Sequence, residues 1–242
     1  MPIGIIINCS AVFLGGIIGA LLGHHIPQRV HTTLTNIFGI CSISMGITYL
    51  GKLQNLPAVM LAIIIGTAIG EWCFLEKGIA NGIGSLIKPM HRFVKIDANT
   101  NKEDFMEQFI SIVVLFCASG TGIFGSIVSG MSGDHSILIT KSVLDFFTAM
   151  IFAISLGALV SFIAVPQMLV MLVLFFCAGL IYPATTEVMR GDFSACGGVL
   201  VLATGLRISG IKHFPIANMI PAMILVMPFS YLWTTHIVPL LM

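Results

Sequence analysis

Long apolar stretches separated by short polar ones run through the whole chain. Each stretch holds about 20 residues with few charges, the length that an α-helix needs to cross about 30 Å of hydrocarbon. The pattern predicts an all-α, polytopic transmembrane bundle of about eight spans, with seven as the alternative. The predicted spans are Pro2–Gly23, Leu34–Leu50, Pro57–Leu75, Phe105–Gly130, Ser136–Ala164, Met168–Thr185, Ser194–Ile211 and Ile216–Val238.

Two of the predicted spans carry the same glycine pattern. Gly39, Gly46 and Gly51 recur with identical spacing as Gly198, Gly205 and Gly210, and each set is followed by a lysine and then a proline. Corresponding spans of the two three-span units lie five positions apart in the order of spans, an odd number, so the second unit would insert inverted. We therefore predict one membrane domain, residues 1–242, made of repeat 1 (1–75), a cytoplasmic elbow and loop (76–104), two central helices (105–164) and repeat 2 (165–242).

Composition and charge support a membrane protein and exclude a nucleic-acid partner. The chain is 57% hydrophobic and 9% charged, with a mean hydropathy of +1.05, which leaves too few polar residues to cover a soluble globule. A net charge of +1 provides no basic surface for phosphates. Lysine and arginine gather in the odd-numbered loops, so the positive-inside rule predicts a multi-pass protein with both termini outside.

The ionisable residues inside predicted spans carry most of the functional information, because burying a charge at mid-membrane costs at least about 2.5 kcal/mol. Lys141 and Asp145 are four residues apart on one helix, so they share a face and can pair. Either the pair only offsets its own burial, or Asp145 faces a cavity and binds a cation or proton. Glu71 lies near the cytoplasmic end of its span. Arg207 lies deeper, and its partner is Glu71 or Asp145.

Small residues are unusually dense at the end of the fourth predicted span, in the run that holds Gly120, Thr121, Gly122 and Ser126. Such residues permit close helix packing, and they also occur where a helix unwinds to line a site. Both interpretations stay open. Asp134 or Ser136 is expected to cap the next helix, whose N-terminus would suit an anion.

The six cysteines all fall inside predicted spans without a Cys-x-x-Cys pair. This spacing indicates neither a disulfide framework nor a zinc site, and we interpret the cysteines as small apolar packing residues. No nucleophile, phosphate-loop or metal-protease motif is visible either. We accordingly expect no enzyme activity, no metal and no cofactor.

Several blocks of residues together resemble a known family. They are Gly133-Asp-His-Ser136, Lys141-Ser-Val-Leu-Asp145, Gly197-Gly-Val-Leu200, Gly210-Ile-Lys212 and Ala217-Asn-Met-Ile-Pro-Ala222. The resemblance is to the YqgA-like bacterial inner-membrane proteins (domain of unknown function 554) and covers nearly the whole chain. It implies an integral membrane protein with a transport role and carries no catalytic or binding residues to transfer. The chain departs from the family pattern at Phe146 and Arg207.

These observations favour a transporter or channel for an ion or small solute, with a path lined by the two central helices. The predicted path residues are Asp145, Lys141, Gly120, Thr121, Gly122, Ser126, Asp134, Glu71 and Arg207. The alternative is a non-transporting membrane scaffold or assembly factor whose buried charges only join helices. The lipid bilayer is the expected partner, and glycine faces on several helices are compatible with a homodimer.

Overall fold

The computed structural model describes residues 1–22, 28–87, 109, 112–113, 116–117 and 119–241. Every regular element in these residues is helical, which confirms the predicted all-α class. The α-helices are α1 (Ile3–Leu22), α2 (Gln28–Leu50), α3 (Leu56–Trp72), α4 (Leu75–Ile87), α5 (Gly120–Ser132), α6 (Ser136–Leu156), α7 (Ala164–Ile181), α8 (Glu187–Ile208), α9 (Ile220–Leu232) and α10 (Val238–Leu241). Short 3-10 segments at Gly157–Ile163, Tyr182–Ala184 and Ile216–Met219 and a π-helical turn at Trp233–Ile237 connect or extend them.

Five helical segments in the described part of the chain are long and apolar enough to cross a membrane: Ile3–Leu21, Ser136–Ile154, Gly157–Gly179, Glu187–Ile208 and Ile216–Leu240. Two shorter apolar helices, Asn36–Leu50 and Leu56–Trp72, accompany them. Many large apolar side chains on these helices are exposed, as lipid solvation requires. The predicted total of about eight spans stays a prediction, and the polar loop beyond Ile87 lies outside the described residues.

Contacts within the chain group it into two compact units. The first unit contains Met1–Leu34 and Lys77–Gly179, and the second contains Thr35–Glu76 and Leu180–Met242. Each unit is therefore assembled from segments that are distant in sequence. The predicted division into two repeats, an elbow and two central helices stays a prediction.

In the first unit, α1 and α6 pack closely and run parallel. Gly15 lies against the main chain of Phe146, and Gly19 lies against the main chain of Met150. A Cβ at either glycine would collide with a carbonyl oxygen, so only glycine permits this separation. The apolar core of the unit fills in around this helix pair, with Ile5, Val12, Leu138 and Ala149 among its fully buried members.

Two predicted spans in the first unit are interrupted, which corrects their boundaries. The α-helix of the predicted span Ser136–Ala164 ends at Leu156, because Gly157 has φ +65° and ψ −161°. Residues other than glycine adopt this backbone conformation only with strain. The chain then continues through the 3-10 segment into α7. The predicted span Phe105–Gly130 is interrupted at Ser119, whose φ of −71° and ψ of 136° are extended, so that α5 begins at Gly120. Hydropathy does not register either break, since both lie in apolar sequence.

In the second unit, α2 and α8 cross antiparallel through the glycines of the repeated pattern. A Cβ built on Gly39 would lie 2.7 Å from the carbonyl oxygen of Gly205, and one built on Gly46 would lie 2.7 Å from that of Gly198. These glycines are seven residues apart on each helix, which places both contacts on one face. The third glycine of the first set, Gly51, follows the end of α2 and makes no such contact.

A second antiparallel pair in the same unit joins α3 to the start of α9. Gly66 packs on Ala222, and Gly70 packs on the main chain of Asn218. Small residues thus allow the helices of both pairs to approach closely. This is typical of helix association in lipid, where burying apolar side chains against another helix provides little driving force.

Candidate functional site

Four polar side chains from three helices form a buried cluster in the first unit, which we call the Asp145 cluster. Its members are Asn8 of α1, Lys141 and Asp145 of α6, and Gln167 of α7. Their relative exposures are 0% for Asn8 and Gln167, 3% for Lys141 and 8% for Asp145. A charged pair is therefore enclosed with two neutral amides inside the first unit.

One carboxylate oxygen organises the cluster. Asp145 Oδ2 accepts hydrogen bonds from Lys141 Nζ, from Asn8 Nδ2 at 2.9 Å and from Gln167 Nε2 at 3.1 Å. Gln167 Nε2 also donates to Asn8 Oδ1 at 2.8 Å. The predicted pairing of Lys141 with Asp145 is thus present, and it offsets part of the cost of burying both charges.

Local packing explains how these side chains meet. Lys141 and Asp145 share a face because they are four residues apart on α6. Asn8 reaches them because Gly4 and Gly15, on either side of it along α1, allow that helix to lie directly on α6. Gln167 arrives from α7 because the chain reverses after Gly157.

The first turn of α5 borders the lysine of this cluster. Ser119 caps α5: its Oγ accepts a hydrogen bond from the Gly122 amide at 3.1 Å, and its carbonyl oxygen accepts one from the Ile123 amide at 3.0 Å. A Cβ built on Gly122 would lie 3.1 Å from Lys141 Cε and 3.0 Å from Met171 Cε. The helix N-terminus, with its partial positive charge, therefore lies beside the buried ion pair.

The predicted small-residue run contains a helix break at Ser119 and also packs closely further along. Gly120, Thr121 and Gly122 form the first turn of the interrupted helix, and the Thr121 side chain is buried. Ser126 is fully buried, and its Oγ donates to the Gly122 carbonyl oxygen at 2.7 Å. Close packing appears further along, where Gly130 lies against the main chain of Phe175.

Asp134 has a local role in the exposed turn before α6. Its Oδ1 accepts a hydrogen bond from the Ser136 amide at 2.9 Å, at the first residue of that helix. The Ser129 hydroxyl closes the same turn with a contact of 2.6 Å to His135 Nδ1. The N-cap of α6 is His135, which makes no side-chain capping hydrogen bond, so the expected cap by Asp134 or Ser136 was wrong.

The two remaining predicted path residues, Glu71 and Arg207, lie in the second unit with other partners than expected. Arg207 Nη1 contacts Glu76 Oε1 at 2.9 Å, so the expected partners Glu71 and Asp145 were wrong. Glu71 instead accepts a hydrogen bond from Asn218 Nδ2 at 2.6 Å. The turn after α3 brings Glu76 to the end of α8, a placement that a linear reading of the chain does not reveal.

Sequence reasoning missed the two amides of the Asp145 cluster. Asn8 and Gln167 are uncharged, whereas the predicted buried polar residues of α1, α6 and α7 were ionisable ones. The available signal was an isolated amide in a long apolar run, because such a side chain seeks a hydrogen-bond partner in lipid.

It also missed Asp192, because α8 begins at Glu187, seven residues before the predicted Ser194. Asp192 is fully buried in the second unit, where its Oδ1 accepts hydrogen bonds from the Gln54 and Asn55 amides. Its Oδ2 accepts hydrogen bonds from Asn55 Nδ2 and Ser230 Oγ. Four neutral donors satisfy this carboxylate, so it joins helices and loop without a cation.

The cysteines only partly follow their predicted role. Cys9, Cys117 and Cys196 are buried, whereas Cys41, Cys73 and Cys177 are exposed, so the packing interpretation was wrong for three of the six. Their positions on lipid-facing surfaces or in the turn after α3 account for the exposure. Within the described residues, no group of three or more His, Cys, Asp or Glu side chains is arranged to hold a metal ion.

Comparison with known proteins extends this picture. The profile of the family described as "Protein of unknown function (DUF554)" matches residues 3–231. The chain belongs to the DUF554 family. It is 52% identical over 234 residues to the "Uncharacterized protein YqgA" of Escherichia coli (strain K12), covering 97% of this chain and 98% of that relative.

A more distant relative carries a location in its description. The "Uncharacterized membrane protein YdfK" of Bacillus subtilis (strain 168) is 28% identical over 229 residues, which cover 92% of this chain and 93% of that relative. No solved structure matches the chain significantly. The chain is therefore a membrane protein of a DUF554 family whose function is not known, and its chemistry must be argued from its own residues.

Proposed function

We propose that this protein is a transporter or channel for an ion or small solute, with its path beside the Asp145 cluster. The observation that carries the proposal is the buried Lys141–Asp145 pair next to the N-terminus of the interrupted helix α5. Discontinuous helices whose free ends point at a central site are a recurring way to bind solutes in transporters. Gly120, Thr121 and Gly122 form that helix end, and Ser126 supports it.

The free-energy cost of burying the Lys141–Asp145 pair is the main argument that the cluster has a function. Well-packed apolar residues often match or exceed a buried ion pair in stability, so a pair of this kind is a poor device for stability alone. Intramembrane ionisable residues more often mark ion or solute pathways and proton relays. We assign Asp145 as the principal charged group of the path.

Two features of the second unit support the inverted repeat that belongs to this proposal. The α2–α8 and α3–α9 pairs are antiparallel, the orientation that inverted units require. In the repeat, Gly39 corresponds to Gly198 and Gly46 corresponds to Gly205. A contact between Gly39 and Gly205 therefore implies an equivalent contact between Gly198 and Gly46, and both contacts occur. Close antiparallel packing of two helices by itself also requires the contacting glycines to be equally spaced on both helices. It is therefore the competing explanation of the repeated glycine pattern. A location in the bacterial inner membrane, periplasmic termini and a homodimer are further parts of the proposal.

The competing function is a membrane scaffold or assembly factor without transport. The observation that favours it is the saturation of Asp145 Oδ2 by three donors, because a carboxylate oxygen held in this way can serve simply to join α1, α6 and α7. Under this alternative the charges are replaceable by apolar residues of similar size.

Flux measurements distinguish the two functions. Purified protein in liposomes is assayed with isotopically labelled chloride, sodium, rubidium, acetate, methylammonium and glycine, and with an internal pH dye for protons. We expect Asp145→Asn to lower the flux of the transported species at least tenfold. Asp192→Asn is the matched control, because it makes the same chemical change at a buried carboxylate of the second unit.

Both variants are compared at equal amounts of monodisperse protein. Unchanged transport by Asp145→Asn, or equal losses in both variants, contradicts the role of Asp145. The scaffold is favoured if no species shows flux and if the Lys141→Met/Asp145→Leu double variant folds and functions normally in cells.

A further inference from the structure

Gln167 holds a buried acceptor without a partner. Its Oε1 atom makes no hydrogen bond within the described structure, although the residue is fully buried. The orientation of the amide is determined by its neighbours: Nε2 faces Asp145 Oδ2 and Asn8 Oδ1, both acceptors, so a flip would set oxygen against oxygen. An unsatisfied buried acceptor is destabilising, and the described residues supply no donor for it.

Backbone donors without intrahelical partners lie in the turn that borders Lys141. The first amides of any α-helix lack such partners, and here they belong to Gly120 and Thr121 at the start of α5. Glycine at position 122 lets the side chain of Lys141 approach this turn closely. Lys141 connects the two sides, because its Cε lies at the α5 turn while the adjacent Nζ contacts Asp145.

The cluster therefore has an acceptor side and a donor side. Asp145 and Gln167 Oε1 form the acceptor side, while Lys141 and the α5 N-terminus form the donor side. Lys141 and Asp145 cancel in formal charge. A bound anion or cation would leave a net charge in a region of low dielectric constant, whereas a zwitterion would not.

We propose that the transported solute is a small zwitterion of the amino-acid class. Its carboxylate binds the α5 amides and Lys141, and its ammonium group donates to Gln167 Oε1 and Asp145. Half-helix N-termini are well suited to a substrate carboxylate, and the orphaned amide oxygen provides the matching ammonium acceptor. This inference rests on the proposed transport function and specifies its substrate class.

Two sets of probes matched in size test the inference on the wild-type protein. The first set is glycine, acetate and methylammonium, and the second is L-alanine, propionate and ethylammonium. Each acid and each amine lacks one charged group of its zwitterion. We expect at least one zwitterion to raise the thermal unfolding temperature in detergent and to enter liposomes. Binding and uptake of its matched acid and amine should each be at least tenfold weaker.

Gln167→Met removes the orphaned acceptor while keeping the length of the side chain. We expect it to weaken zwitterion binding and uptake at least tenfold. Gln54→Met, at an exposed glutamine of the second unit, is the control and should change neither. If Gln167→Met binds the zwitterion normally, Oε1 is only a water site and the inference is wrong. The wild-type probe series decides the question even if this variant folds poorly.

The remaining outcomes separate the inference from the function beneath it. If acetate, methylammonium or an inorganic ion moves in an Asp145-dependent manner and no zwitterion does, the substrate class is wrong and transport stands. If no probe binds or moves, and Asp145→Asn changes nothing, both proposals fail.

Discussion

Replacing Lys141 by methionine keeps the length of the side chain but leaves the Asp145 carboxylate buried without its counter-ion. Asp145 is only 8% exposed and the lysine 3%, so water does not replace the lost partner. Breaking a buried pair in this way typically costs about 3–5 kcal/mol. We expect a similar cost for Asp145→Leu, which strands the ammonium group.

The double variant Lys141→Met/Asp145→Leu should be more stable than either single variant. It removes both charges, and the Asn8 and Gln167 amides lose their hydrogen bonds to Asp145 Oδ2. Gln167 keeps its hydrogen bond to Asn8 Oδ1. Each orphaned donor costs about 1–3 kcal/mol, and Asp145→Leu alone carries the same loss. The double-mutant cycle should therefore show a coupling energy of at least about 2 kcal/mol between the two positions.

Unfolding in mixed micelles of a mild detergent and dodecyl sulfate, followed by far-ultraviolet circular dichroism, measures these free energies. A Lys141→Met cost below about 1 kcal/mol, the range of exposed pairs, would show that water or lipid headgroups solvate the carboxylate. Additive single costs would show that the two side chains do not depend on each other. Either result refutes the buried cluster as described.

Three further predictions concern packing, backbone conformation and the second carboxylate. Gly198→Ala should lower the thermal unfolding temperature by several degrees, because its Cβ would lie 2.7 Å from a carbonyl oxygen of α2, whereas Gly78→Ala in α4, with open space around it, should be neutral or slightly stabilising in the same melt. Gly157→Ala should cost about 1–3 kcal/mol through backbone strain alone, since no atom lies within 4 Å of the added Cβ; a neutral result in the mixed-micelle assay would contradict the reversal after α6. Asp192→Ala should cost at least about 2 kcal/mol by stranding its donors, and unchanged stability would mean that water satisfies them.

The charged residues illustrate what local sequence can and cannot specify. Lys141 and Asp145 were paired correctly because four residues along a helix place two side chains on one face whatever surrounds them. Arg207 was paired wrongly because its partner, Glu76, comes from a segment 131 residues away, beyond the turn that follows α3. The sequence did not predict the roles of Asn8 and Gln167, because an uncharged amide becomes part of a site only through the carboxylate that it contacts in the fold.

The sequence by itself determined the helical class and the membrane environment. Backbone polar groups in lipid must be satisfied within the segment, so long apolar runs allow little besides helices. Tertiary structure alone decided where those helices break and which faces meet. Gly157 and Ser119 interrupt spans whose hydropathy is continuous, because backbone dihedral angles depend on how the chain packs. The repeated glycines, a pattern in the sequence, became contacts once α2 and α8 crossed, since close approach needs two helices and a sequence shows each one separately.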